Sequence, residues 1–256
     1  MKWRLMMVEP RSGAENMARD AGLMDRARET GEAVFSVYSW ARPTLSLGRN
    51  QTAADKYDLR EIARRNWDLV RRPTGGRALL HHHEVTYSVA APVSPNDSLS
   101  ESYHRINSVL IDALASLGVK ADEADAVSFA LPPTEIPCFA EPARGELVFD
   151  GRKLVGSAQV REDGMLLQHG SILVENDQQS IAEVMLAQPS ESVGTAATLT
   201  EALGRAPSIS EVASALFASV MLLEDAGAKR IAEPEVIDFT NRHLEKFRSE
   251  WWTWRR

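Results

Sequence analysis

The sequence predicts an α+β fold, a single domain over residues 1–256 with a mixed sheet and a mostly helical part from about residue 180. Strand-like apolar segments fill much of the first two thirds of the chain, and one strongly periodic helical segment interrupts them. Strands and helices do not alternate regularly, which argues against a parallel doubly wound sheet. With 256 residues, the chain is long enough to bury one large core.

The composition is that of an ordinary globular protein, with 44% hydrophobic and 25% charged residues. A net charge of −7 disfavours nucleic acid as a partner. No apolar run approaches the roughly 18 residues of a membrane span, and the first residues lack the features of a signal peptide. The single cysteine excludes an internal disulfide and fits a reducing compartment. We therefore expect a cytoplasmic protein with no membrane or nucleic-acid partner.

The N-terminal segments predict strands and capped helices. A strand is expected over 3–8, and the helix after it has Ser12 as its cap. Further strands are expected over 34–40 and 45–47. Asp58 is placed to cap a short helix, because its carboxylate can accept hydrogen bonds from the first free N–H groups.

The middle of the chain continues this pattern. Strands are expected over 69–72 and 78–81, joined by a Thr74-Gly75-Gly76 turn, and the strand over 85–91 continues the sheet. A clear amphipathic helix follows, and Gly118 ends it. The apolar residues of this helix recur every three or four positions, at Ile106, Val109, Leu110, Ala113, Leu114 and Leu117.

A hairpin is the strongest prediction in the second half. Strands over 146–149 and 153–160 flank Asp150-Gly151, a pair that suits the positive φ angles of a tight turn. Another strand is expected over 165–174, and a last helix after Pro234. The Trp-rich segment 249–256 could either cap the domain or anchor a partner.

The segment RRPTGGR at 71–77 joins two glycines to three arginines. Such a loop can bring main-chain N–H groups close to an anion or a carbonyl group. The spacing alone fits a second interpretation equally well, in which Gly75 and Gly76 only close a hairpin.

Cys138 is a candidate nucleophile. A lone cysteine often serves as a small buried hydrophobe, but the prolines around this one predict a constrained loop that would present the thiol. A thiol needs a positive neighbour to become a thiolate near neutrality, because its ordinary pKa is about 8.5. Lys153 or a histidine could supply that charge.

Lys153 precedes a run of small residues, Gly156-Ser157-Ala158, in the middle of a predicted strand. Small residues form strands poorly, so we expect that a ligand needs the space. A solvated lysine in a hairpin is the alternative. The run His81-His82-His83 invites a metal site, but neighbours on a strand face opposite sides, so we expect none. His169, on another strand, is either a hydrogen-bonded core residue or a site residue.

Three segments together resemble the superfamily of biotin–protein ligases, lipoate–protein ligases and octanoyltransferases. They are RRPTGGRALLHH at 71–82, GRKLVGSAQ at 151–159 and LLQHGSIL at 166–173. With PCF at 137–139, the chain is most similar to the cysteine-dependent octanoyltransferases that load the glycine-cleavage H protein. The resemblance covers about residues 3–180. Arg77 stands where many ATP-dependent ligases have a third glycine, and His82 where the family often has aspartate.

The resemblance implies a fold like the catalytic core of class II aminoacyl-tRNA synthetases and biotin–lipoate ligases. It also implies a reaction without cofactor or metal, in which Cys138 takes an octanoyl group from acyl carrier protein. A lysine of a lipoyl-domain protein, the glycine-cleavage H protein or a 2-oxoacid dehydrogenase E2, then accepts it, while Lys153 orients the carbonyl. The substrate-binding residues implied are Arg72, Thr74, Gly75, Gly76, Arg77, His81, Gly156, Ser157, Ala158, Gln159, His169 and Gly170.

Other functions remain open from the sequence. An ATP-dependent lipoate–protein ligase would need no thiol, and an amidotransferase would move octanoate between lipoyl domains through the same Cys138. A non-catalytic module that binds lipoyl domains is a third possibility. Biotin ligation is disfavoured, because the sequence lacks a Gly-Arg-Gly-Arg phosphate loop.

Overall fold

A computed structural model describes residues 1–94, 96–124, 143, 145–187 and 195–255. Cys138, the predicted nucleophile, lies outside these residues.

Eleven strands and seven α-helices lie within the described residues. The strands are Trp3–Met7 (β1), Ala33–Tyr38 (β2), Thr44–Leu47 (β3), Asp68–Arg71 (β4), Leu79–His81 (β5), Glu84–Pro92 (β6), Asp122–Glu123 (β7), Leu147–Phe149 (β8), Arg152–Glu162 (β9), Met165–Leu173 (β10) and Lys229–Arg230 (β11). The helices are Gly13–Thr30 (α1), Leu59–Arg64 (α2), Leu99–Ser116 (α3), Leu199–Leu203 (α4), Ile209–Leu223 (α5), Ile237–Arg248 (α6) and Glu250–Thr253 (α7). Short 3₁₀ helices span Gln178–Val184 and Glu233–Glu235.

An eight-stranded mixed sheet forms the body of the molecule, in the order β11-β1-β2-β6-β10-β9-β8-β7. The first three strands run parallel, and the strands from β2 onward pair antiparallel. Successive side chains of a strand point to opposite faces. Phe35 and Val37 accordingly pack with α3 and α5 on one face, and Val34 and Tyr38 pack with α1 and α6 on the other.

Local signals in the sequence account for where the elements begin and end. Ser12 caps α1 in a reciprocal capping box with Glu15, and the Asp58 carboxylate caps α2 as expected. Asp150 and Gly151 have φ angles of 49° and 72°, as a tight turn between β8 and β9 requires.

A second sheet corrects the sequence prediction of one sheet. It has three strands in the order β4-β3-β5, in which β3 runs parallel to β4 and antiparallel to β5. β4 and β5 are therefore not paired, and the hairpin interpretation of Gly75 and Gly76 is wrong. The turn residues predict a change of chain direction, but they do not specify which strands pair.

The loop between β4 and β5 instead crosses the end of β3. The Arg49 N–H donates to the Thr74 carbonyl oxygen over 2.7 Å. A Cβ on Gly48 would lie 1.9 Å from the Gly76 carbonyl oxygen, so only glycine fits at position 48. This packing fixes residues 72–77, which we call the glycine loop, against β3.

The Trp-rich segment caps the domain. Trp252 is buried, and its indole N–H donates to the Arg71 carbonyl oxygen over 2.8 Å. The Arg71 guanidinium donates in turn to the carbonyl oxygens of Thr253, Gly48 and Gln51. Residues 252–253 thus support the strand that leads into the glycine loop. No helix among the described residues has the length and apolarity to cross a bilayer.

Candidate active site

A pocket that opens to solvent lies between the two sheets and α1, with about 500 Å³ of free space when the open solvent at its mouth is included. Its lining combines apolar side chains with a few polar ones, as in sites for small molecules. The lining residues are Met17, Tyr38, Trp40, Arg72, Gly76, Leu79, His81, Thr86, Glu146, Gly156, Ser157, Ala158, His169, Gly170 and Ser171.

Arg72 shapes the glycine loop. Its buried guanidinium donates to the Gly75 carbonyl oxygen from Nε and Nη2, at 3.1 and 2.9 Å, and to the Arg77 carbonyl oxygen at 2.7 Å. Nη1 donates to the carbonyl oxygen and hydroxyl of Ser46 on β3, both at 3.1 Å. The loop thus depends on the fork geometry of arginine, which lysine cannot reproduce.

Small residues on β9 and β10 form the opposite side of the pocket. Gly170 faces Ser157 in the ladder. A Cβ at position 170 would lie 2.6 Å from a ring carbon of Tyr87 and 2.7 Å from the Gly156 carbonyl oxygen. Tyr87 is itself held by its hydroxyl, which contacts Ser157 Oγ at 2.6 Å. Close packing therefore explains why glycine stands at position 170.

Lys153 is buried, with 2% of its side chain exposed, and the solvated alternative is wrong for it. Its Nζ lies 2.7 Å from Glu146 Oε1, and Glu146 lines the pocket. A buried cation needs such a partner, because its desolvation is otherwise too costly. The pair thus buries a lysine beside a residue of the pocket lining.

A first relay of hydrogen bonds runs from the glycine loop to α1. Thr74 Oγ1 contacts His169 Nε2 at 2.5 Å, and His169 Nδ1 contacts Asp20 Oδ2 at 2.8 Å. Tyr38 donates to the same carboxylate oxygen at 2.9 Å. Since a carboxylate accepts, the hydrogen is assigned to His169 Nδ1, and Nε2 accepts from Thr74.

A second relay runs from β3 to β6. Ser46 Oγ contacts His81 Nε2 at 2.9 Å, and His81 Nδ1 lies 3.4 Å from Glu84 Oε1. Thr86 and Ser171 donate to the Glu84 carboxylate at 2.6 and 2.5 Å. The first relay thus joins a hydroxyl, an imidazole and a buried carboxylate through hydrogen bonds, whereas in the second His81 Nδ1 lies near Glu84 without a hydrogen bond among the described residues.

Burial shifts several pKa values around the pocket. It lowers the pKa of His81 below the ordinary 6.5, although Glu84 opposes this shift. Burial raises the pKa of Tyr87 to about 12. The pKa of Tyr38 rises well above its usual value through burial and the adjacent Asp20. The lining residues Tyr38 and His81 and the adjacent Tyr87 are therefore neutral near neutral pH.

The structure brings most of the predicted site residues together. Eight of them lie in the pocket lining, namely Arg72, Gly76, His81, Gly156, Ser157, Ala158, His169 and Gly170. Lys153 and Thr74 contact lining residues, and the Gly75 and Arg77 carbonyl oxygens accept from Arg72. Gln159 points elsewhere, because its amide donates to the Leu99 carbonyl oxygen.

Sequence reasoning missed the buried carboxylates Asp20, Glu84 and Glu146. Asp20 lies on α1, where a polar residue is ordinarily taken for a solvent-facing one. Glu84 follows directly after the histidine run, and its position at the start of a largely apolar strand was the one available signal.

Comparisons with known proteins agree with this geometry. Residues 12–221 match the model of the lipoyl protein ligase A/B catalytic domain. The chain is 42% identical to octanoyltransferase LipM of Kyrpidia tusciae over 202 residues, which cover 75% of this chain and 72% of the relative. It is 32% identical to octanoyltransferase LipM of Geobacillus kaustophilus, over 99% of this chain and 98% of the relative.

The fold is also that of solved lipoate–protein ligases. A bi-partite lipoate protein ligase from Thermoplasma acidophilum superposes with a TM-score of 0.77 at 21% identity, covering 99% of this chain and 96% of that one. The mixed sheet and its helices thus have the architecture expected from the biotin–lipoate ligase superfamily. The chain therefore belongs to the lipoyl protein ligase A/B catalytic-domain family, and it is an acyltransferase whose relatives are octanoyltransferases.

Proposed function

We propose that this acyltransferase moves an octanoyl group from acyl carrier protein to a lysine of a lipoyl-domain protein, in lipoate biosynthesis. The group passes through a thioester on Cys138. The observation that carries the proposal is the partly apolar pocket, in which the lining residue Glu146 pairs with the buried Lys153. The octanoyltransferase relatives and the Cys138 segment of the sequence support the same chemistry.

The pocket suits a medium-length acyl chain. Met17, Tyr38, Trp40 and Leu79 supply apolar surface, and the small side chains of β9 and β10 leave the volume free. Each methylene group that leaves water contributes about 0.8 kcal/mol, so the chain provides most of the acyl affinity.

In the first step, the Cys138 thiolate attacks the carbonyl carbon of the octanoyl thioester. A new carbon–sulfur bond forms, and the carrier thiolate leaves. Lys153 stabilises the negative charge on the carbonyl oxygen, and main-chain N–H groups of the glycine loop or of Gly156-Ser157 assist. Since the donor arrives as a thioester, neither ATP nor a metal ion is consumed.

In the second step, the amine of the acceptor lysine attacks the acyl-enzyme. An amide bond forms, the amine loses a proton, and the Cys138 thiol is regenerated. The acceptor is the glycine-cleavage H protein or a 2-oxoacid dehydrogenase E2. A reducing cytoplasm, the expected location, would keep the thiol free.

An ATP-free transfer assay tests this proposal. The parent protein, Cys138→Ala and Lys153→Met are incubated with octanoyl-acyl carrier protein and a lipoyl domain, and acceptor modification is followed by mass spectrometry. We expect transfer by the parent, none by either variant, and a hydroxylamine-labile adduct on Cys138. Lys120→Ala, which removes an exposed lysine, serves as the matched control. A fully active Cys138→Ala protein or strict ATP dependence would reject the covalent mechanism.

A further inference from the structure

Two histidines without a role in the pocket lie side by side on the surface. His81 ends β5 and is buried, but His82 and His83 occupy the turn before β6, where strand alternation no longer separates neighbours. Their rings lie 3.7 Å apart between centroids. Strand alternation keeps neighbouring side chains apart only within a strand, and of the three histidines only His81 lies in one.

Asp177 completes this group. One ligand atom from each of His82, His83 and Asp177 lies within 4.8 Å of the others. Asp177 Oδ2 is 2.7 Å from His82 Nδ1, and the carboxylate of Glu175 is 4.0 Å from His83 Nδ1. Ligands around a tetrahedral zinc ion stand about 3.4 Å apart, given bonds of 2.0–2.1 Å. The two histidine side chains, 39% and 47% exposed, have room to reach that spacing.

The backbone holds the two ligand-bearing segments together. The His83 carbonyl oxygen accepts from the N–H groups of Val174 and Glu175, at 2.9 and 3.0 Å. The Gln178 side chain bonds both the N–H and the carbonyl oxygen of Leu80, at 3.1 and 2.6 Å. These hydrogen bonds lie on both sides of the site and join the β5–β6 segment to residues 174–178. They therefore hold the two ligand-bearing segments in fixed positions.

The charge of the group favours a cation. Asp177 and Glu175 bring two carboxylates to this group. Asp177 Oδ1 is buried and has no hydrogen-bond partner among the described residues. A carboxylate oxygen in this state costs free energy, which a bound cation would offset.

We propose that His82, His83 and Asp177 form a surface site for a divalent transition-metal ion of the zinc type. Two imidazoles and one carboxylate are a common ligand set for such ions. The ion joins the β5–β6 turn to the segment that begins the 3₁₀ helix Gln178–Val184. Because His81 in the pocket wall directly precedes this turn, the ion stabilises that wall and takes no part in acyl transfer.

Titration of tag-free protein with zinc chloride tests the site. The measurements use isothermal calorimetry, and cobalt chloride gives a visible d–d spectrum as a second readout. The Cys138→Ser background removes the thiol as a ligand. We expect one ion per chain in the micromolar range, and at least about tenfold weaker binding for His82→Ala and for His83→Ala. His104→Ala is the matched control, because His104 is another exposed histidine that pairs with a carboxylate, Glu123.

Thermal unfolding gives an independent measurement. Zinc at about 100 times its dissociation constant should raise the Tm by about 5 °C, and this rise should disappear in the His82→Ala/His83→Ala double variant. Absence of micromolar binding, or binding that both histidine variants retain, would overturn the proposal. If no micromolar binding is found, His82 and Asp177 form only a surface ion pair.

Discussion

Each of the two relays beside the pocket contains a hydroxyl, an imidazole and a carboxylate, but the hydrogen-bond partners of the two carboxylates differ. In the Thr74–His169–Asp20 relay, the imidazole contacts are 2.5 and 2.8 Å, and Asp20 Oδ1 has no partner among the described residues. In the Ser46–His81–Glu84 relay they are 2.9 and 3.4 Å, and hydroxyl groups occupy both Glu84 oxygens. The first carboxylate chiefly orients a histidine, whereas the second joins β6 to β10 through Ser171.

Gly170 lies between the two relays, because His169 belongs to the first and Ser171 contacts the carboxylate of the second. Its substitution should therefore have the largest effect on stability. Gly170→Ala puts a Cβ within 2.7 Å of the Gly156 carbonyl oxygen. We expect a loss of about 3 kcal/mol in the free energy of unfolding, measured by urea denaturation, and a loss of acyl transfer. Gly75→Ala, where a Cβ meets nothing within 4 Å, should change stability by less than about 0.5 kcal/mol. Equal effects at the two positions would contradict the close packing.

Glu84→Gln should be the next most damaging change. An amide offers one acceptor oxygen, whereas both oxygens of Glu84 now accept from Thr86 and Ser171. One buried hydroxyl must lose its partner or turn away, at a cost of about 2 kcal/mol. Chemical denaturation of the variant measures this cost, and an unchanged stability would show that the hydroxyls find other acceptors.

Asp20→Asn should cost less, about 1 kcal/mol, because the amide oxygen can still accept from Tyr38 and His169. The NH₂ group then takes the place of the oxygen that has no partner. Kinetics should show a lower kcat for transfer with little change in KM, since His169 and Thr74 lose charge-assisted positioning. If Asp20→Asn destabilises the protein as much as Glu84→Gln, the two carboxylates do not differ in their contribution to stability.

The last prediction concerns the pH dependence of stability. Burial lowers the pKa of His81 in the folded protein, so the unfolded chain binds a proton first as the pH falls below 6.5. Stability should therefore decline between pH 6.5 and the lower folded pKa, by about 1.4 kcal/mol for each unit of difference. Urea unfolding at pH 7.5 and 5.5 should show a smaller decline for His81→Gln than for the parent. The same decline in both proteins would assign the acid sensitivity to other groups.

Local signals made much of the fold predictable. Ser12, Asp58 and Asp150-Gly151 act through contacts within a few residues, so their elements could be placed from sequence. Strand order is different, because the pairing of β3 with both β4 and β5 depends on contacts between distant segments. The separate three-stranded sheet could not be inferred for that reason.

The site was predictable to a similar extent. The run Gly156-Ser157-Ala158 predicted free space beside a strand, and the pocket lies there. The burial of Lys153 was not predictable, because it depends on Glu146 in the neighbouring strand region. Asp20 escaped notice because a charged residue on an amphipathic helix ordinarily faces solvent.

The bond between Trp252 and Arg71 has a consequence for biosynthesis. Its two residues are 181 positions apart. A ribosome makes β4 and the glycine loop long before residues 252–253, so Arg71 gains its Thr253 and Trp252 partners late in synthesis. A nascent polypeptide that stops before these residues therefore lacks this support of the glycine loop.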